Sequence, residues 1–156
     1  MTVNEIATEI YTDNGSPSDT SVSAIEYWIR GKVGTLNSKI FTSFIVNSGN
    51  EVVDENAVAI DINAAAILKK MWQVDRYDTL LRTQLTALTS GDDMVEISDD
   101  GATYRRSNKG ETVKSLKELK KNDSEELERL VAGYKIRSSS PLQVAGDDTE
   151  IGHFTL

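Results

Sequence analysis

The chain reads as mainly α: a small helical bundle with a protruding β-hairpin and an extended C-terminal arm. Three observations predict it. Apolar residues recur at helical spacing in long stretches near 20–40, 63–89 and 112–136, which are expected to form the core. Between the last two, a short run alternates apolar and polar residues about an Asp-Gly turn. Past residue 139 the periodicity stops, yet apolar side chains continue through SPLQVAGDDT (140–149) to Phe154 and Leu156. The expected division is a helical domain over 1–139, with the hairpin near 94–106, and an arm over 140–156.

The first element is short. In VNEIATEIYT (3–12), Val3, Ile6, Ala7 and Ile10 share one helical face, and Gly15 and Pro17 then break the pattern. Ser18 or Asp19 is placed to cap the next helix, because a side-chain oxygen there accepts from the free N–H groups of the first turn. Val22, Ile25, Ile29, Val33, Leu36 and Ile40 form its stripe, bordered by Trp28. Gly31 and Gly34 within it leave room for another backbone and predict a crossing or a bend. In TSFIVNSGNEVVDEN (42–56), the runs FIV and VV flank NSGN, as in a hairpin or a long ordered loop.

The longest helix is expected from about Asn63 to Thr89. Ala64, Ile67, Met71, Val74, Leu81, Leu85 and Leu88 lie near a repeat of about 3.5 residues, and Leu68, Trp72 and Leu80 widen the face. Asp78 stands where that stripe wants a leucine. An unpaired buried carboxylate is costly, so Arg82 at i+4 is its expected partner, in a half-exposed ion pair. In GDDMVEISDDGATYRRS (91–107), Val95 and Ile97 alternate with Glu96 and Ser98, Asp100-Gly101 makes the turn, and Ala102 and Tyr104 alternate on the return. Two strands alone are marginal in water, so the hairpin is expected to rest on the helices or on a neighbouring chain.

Val113, Leu116 and Leu119 mark one face of the last helical region, and Leu127, Leu130, Val131 and Tyr134 mark another stretch. Between them, Asp123 and Glu126 have the form of a capping box with Asp in place of Ser or Thr. This favours a second helix beginning at Asp123 over one helix with a polar waist.

Catalytic templates find no purchase. The chain has no cysteine, and its one histidine, His153, lies three residues from the last, where a general base is poorly held. Neither a Gly-x-Ser-x-Gly turn nor a phosphate-binding glycine loop occurs. Asp92, Asp93, Asp99 and Asp100 lack the alternating spacing of a calcium loop and read as solvated turn residues. The expectation is therefore a protein that is not an enzyme, with no catalytic residue, no metal ligand and no cofactor. No run approaches the length of a membrane span, and the first residues lack the basic and apolar regions of a secretory signal.

Net charge is −8, from 17 basic and 25 acidic residues. A chain this acidic is repelled by phosphate unless its basic residues cluster. Arg105, Arg106, Lys109, Lys114, Lys117, Lys120 and Lys121 form one such cluster, read as a solvated face or as a nucleic-acid contact. Tyr104-Arg105-Arg106 is the one spot where basic and aromatic residues meet in the manner of nucleic-acid binders.

Two stretches carry a family likeness. SPSDTSVSAIEYWIRGKVGTLNSKI resembles the opening helix of small proteins encoded among the neck genes of tailed bacteriophages. SSPLQVAGDD, after a helix expected to end in AGYK, resembles their C-terminal arm, and SDDGATYRR between the long helices is similar as well. The likeness spans about residues 4–149 and is one of order and texture, without a signature motif.

The resemblance implies a head–tail connector, also called an adaptor or neck protein, in the virion. Its partners would be copies of itself in a ring, usually twelvefold, with the portal protein and a tail or second neck protein. It would be made in the host cytoplasm and pass DNA without binding it specifically. The acidic charge agrees, since a ring of about twelve such chains would carry on the order of −100. The candidate subunit or portal interface is Pro141, Leu142, Val144, Phe154 and Leu156 on the arm and Tyr104, Arg105 and Arg106 on the hairpin. The alternative is a small cytosolic helical protein that binds nucleic acid or regulates.

Overall fold

In a computed structural model, which describes residues 1–89, 98–99, 102–103 and 109–139, four helices carry most of the chain. Helix α1 spans Val3–Asp13. Thr2 caps it: its hydroxyl accepts from the Glu5 N–H, and the Glu5 carboxylate accepts from the Thr2 N–H. Asn14 closes it, and Gly15 supplies a φ of +75° as the chain turns away. Val3, Ile6, Ala7 and Ile10 are fully buried, so α1 belongs to the core that the sequence placed in the three longer helices.

Helix α2 runs Val22–Ile40 and buries Ile25, Ile29, Val33, Leu36 and Ile40 of the expected stripe, with Val22 at its start only partly buried. Its cap corrects the expectation. Ser21, not Ser18 or Asp19, accepts from the Ala24 N–H, because Asp19 is drawn to the Arg76 guanidinium of the next helix at 2.9 Å. The expected crossing at Gly31 and Gly34 also fails. Both face open space: among the described residues, no atom apart from the adjoining residues and the helix's own backbone lies within 4 Å of where a Cβ would stand.

The 42–56 stretch is a hairpin. Strands β1 (Ile45–Val46) and β2 (Val52–Val53) pair antiparallel, with Ile45 opposite Val53 and Val46 opposite Val52. The Val3 N–H donates to the Asn50 carbonyl at 2.8 Å, which ties this hairpin to the start of α1.

Helix α3 (Ile62–Thr89) starts at Asp61, whose carboxylate accepts from the N–H groups of Asn63 and Ala64. Helix α4 (Lys109–Ser138) returns antiparallel beside it. The expected break at Asp123 is corrected: α4 is a single helix. Asp123 and Glu126 both turn outward to the Lys70 ammonium of α3, at 3.3 and 2.7 Å, so the residues that look like a cap serve as a bridge between helices. Between α3 and α4, strands β3 (Ser98–Asp99) and β4 (Ala102–Thr103) pair antiparallel across residues 100–101, as the Asp-Gly turn predicts.

The continuous core is uneven along this helix pair. On α3 it reaches Trp72, with Val74 packed against it; on α4 it comprises Leu127, with Leu130, Val131 and Tyr134 against it. The remainder of α3 continues for about 22 Å, at about 1.5 Å per residue, alongside the first half of α4.

Candidate functional site: a stalk and an apolar end

Beyond the core, α3 and α4 form a two-helix stalk, and the β3–β4 hairpin falls between them in chain order. Among the described residues its buried apolar content is thin: Leu81 and Val113 are buried outside the continuous core, while Leu85 and Leu119 are nearly half exposed. Polar contacts supplement it. Asp78 accepts from Arg82 at 2.8 Å and from Lys120 at 2.5 Å, and the first of these is the pair the i+4 spacing predicts. Lys120, then Arg82, hold the Asp78 carboxyl below the usual carboxylate range.

The opposite end of the bundle gathers the C-terminus of α2, the start of α3 and the last turns of α4. The Tyr134 hydroxyl donates to Asp61 at 2.8 Å, and Arg137 donates to the Asn63 side chain at 3.1 Å. Around these contacts, Phe41, Ile45, Val58, Ile62 and Ile136 are 56% to 82% exposed. Phe41 is unusual twice over, since it closes α2 in the left-handed region at φ 58°, ψ 50° and exposes its ring. The Asn37 side chain fixes that turn, donating to the Phe44 carbonyl and accepting from the Phe44 N–H and the Thr42 hydroxyl. The Lys135 ammonium lies 4.1 Å from the centre of the Phe41 ring.

At the junction of body and stalk lies an open groove of about 600 Å³, with Trp28 and Trp72 in its wall. Its charges answer one another. Asp75 accepts from Trp28 Nε1 at 3.1 Å and from Lys32 at 2.8 Å, and Arg76 donates to Asp19 and Thr20. A ligand would have to break these pairs to bind. Among the described residues no group of three His, Cys, Asp or Glu could hold a metal ion, and no helix is long and apolar enough to cross a membrane.

Comparison with protein-family models, with curated proteins and with solved structures found no match.

Of the expected interface residues, Tyr104, Arg105, Arg106, Pro141, Leu142, Val144, Phe154 and Leu156 lie outside the described residues. The neighbouring β3–β4 pairing puts a hairpin between α3 and α4 in chain order. The extended arm as a whole lies outside the described residues too. The apolar end is a surface that sequence reading missed. Its residues fall off the helical stripes and far apart along the chain; an apolar side chain out of period, as at Phe41 and Ile136, is the signal that could have found it.

Proposed function

We propose that the chain is a non-catalytic structural subunit of a tailed-phage neck, a head–tail connector that forms a ring between portal and tail. The observation that carries this reading is the stalk. Among the described residues, only Leu81 and Val113 are buried in the part of the two helices beyond the core, and a two-stranded hairpin joined to them is marginal by itself. Packing against a neighbouring subunit supplies the missing side. The hairpin at Tyr104–Arg106 and the arm at 140–156 would then reach the adjacent subunit or the portal, and the net charge of −8 per chain would keep the passage from holding DNA. The comparisons lend this family no support, so the reading stands on geometry and on the sequence likeness.

The test is assembly. The purified chain, mixed with the portal protein of the same genome, should add a ring of density beneath the portal in electron micrographs. A genome without a portal gene, or a portal that leaves the chain monomeric and unbound, ends the reading.

A second reading has its own observation. Lys114, Lys117 and Lys121 are exposed at spacings of three and four on α4, one cationic stripe along the stalk. That stripe suits a small helical protein that touches nucleic acid, and the lack of any connector match sits better with this less specific class. Lys121 is partly answered by Glu125 at 3.9 Å. If this second reading holds, the chain binds a DNA duplex at physiological salt, and Lys114→Glu with Lys117→Glu removes the binding and flattens its salt dependence. A connector shows neither effect.

A further inference from the structure

We propose that, in the free subunit, the apolar end of the bundle is the docking surface for the chain's own C-terminal segment, residues 140–156. This rests on the reading above that the segment is an arm, and adds where the arm sits before assembly.

Phe41, Ile45, Val58, Ile62 and Ile136 all expose more than half of their area toward one end of the bundle, and exposed apolar side chains gathered in this way mark an interaction site. Phe41 adds a backbone outlier: a bulky residue in the left-handed region, held there by Asn37. Such conformations persist where the exposed side chain has a task. Beside it, a groove of about 270 Å³ between α2 and α4 is floored by Leu127, Val131 and Ala132. Its rim is cationic, with Lys39 and Lys135 against Glu128. Lys39 has no ion-pair partner among the described residues, and Arg137 donates to an amide, so it brings no carboxylate.

The occupant follows from where the chain goes next. Helix α4 ends at Ser138, two residues after Ile136, so residues 140–156 begin at this end of the bundle. They carry Leu142, Val144, Ile151, Phe154 and Leu156, with Asp147, Asp148 and Glu150 between them and no lysine or arginine. Apolar flanks about an acidic centre complement an apolar surface with a basic rim. Extended, the segment spans about 50 Å, ample to cross the end of the bundle. A short tether gives a millimolar effective concentration, so in dilute solution the chain's own segment outcompetes a neighbour's. In a ring that advantage shrinks, because neighbours present the same surface at close range.

The absence of native cysteine allows a direct test on the full chain. A nitroxide on Thr149→Cys should broaden the methyl resonances of Ile45, Ile62 and Ile136 while sparing Leu81 and Leu85 in the stalk. Lys39→Glu with Lys135→Glu should weaken that contact roughly tenfold, and raising the salt should weaken it in the same direction. Two outcomes overturn the proposal. In one, the end of the bundle is broadened no more than the stalk. In the other, broadening appears only when spin-labelled chains are mixed with isotope-labelled ones, which assigns the surface to a second copy. No portal enters these measurements, so a chain that docks its own segment yet joins no portal overturns the connector reading alone.

Discussion

Tyr134 is where burial and charge act most plainly on one residue. Burial, then the hydrogen bond to Asp61, then the Asp61 charge push its phenol up to about 12. The folded value lies above the ordinary tyrosine value of about 10, so the fold favours the neutral phenol. The stability it contributes is present in full below pH of about 10 and is lost as pH rises toward about 12. Tyr134 should therefore contribute a late step, near pH 12, to the rise in tyrosinate absorbance. Tyr134→Phe should remove the late step; a late step that survives the substitution contradicts the assignment.

Leu81 gives a second test at this scale. It is 7% exposed, so Leu81→Ala should destabilise by about 2–5 kcal/mol, nearer the lower figure because an open stalk can relax around the gap. Thermal or urea melts read this, and no loss would mean that the stalk packs without it. What sequence reveals at this scale is local. The Asp78–Arg82 pair was legible because the two residues are four apart on one helix. Lys120, the other cation on Asp78, comes from another helix and left no local sign.

Among the elements, a helical stripe was legible where burial on one face imposes a period, and misleading at Leu85 and Leu119, which lie on the expected faces of α3 and α4 yet are nearly half exposed. The stripe of α2 is buried as expected from Ile25 to Ile40. Capping was less legible, since a capping residue and a residue awaiting a distant partner look alike. Asp19 answers Arg76 and leaves the α2 cap to Ser21; Asp123 and Glu126 answer Lys70 and leave α4 unbroken. Asn122→Pro separates the two readings of α4. Within one helix, proline removes a backbone hydrogen bond and clashes with the preceding turn, at a cost of about 3 kcal/mol. Just ahead of a helix capped by Asp123, it would be tolerated. Urea denaturation should show the larger cost, and a neutral substitution would restore the broken helix.

At the scale of the whole molecule, stability should be distributed as the core is. Helices α1 and α2 clamp the first half of α3 and the second half of α4, and Ile6, Ile29, Leu36 and Leu68 lie in the fully buried centre. Asp19 and Thr20 on Arg76, with Trp28 on Asp75, tie that body to the middle of α3. Farther out, the helices rest on thin apolar contact and on half-exposed ion pairs, which contribute little in water. Regions with few buried contacts open at lower free energy than the core. Native-state hydrogen exchange on the isolated chain should therefore find the helical amides of 79–89 and 112–119 less protected than those around Ile29 and Leu68. The expected gap is at least tenfold, or about 1.4 kcal/mol. If the chain joins a ring as proposed, assembly should raise protection of the stalk while leaving the body unchanged, because a neighbour covers only what was open. Equal protection of stalk and body in the isolated chain would mean that the stalk supports itself, and the physical reason for assigning it a neighbour would be gone.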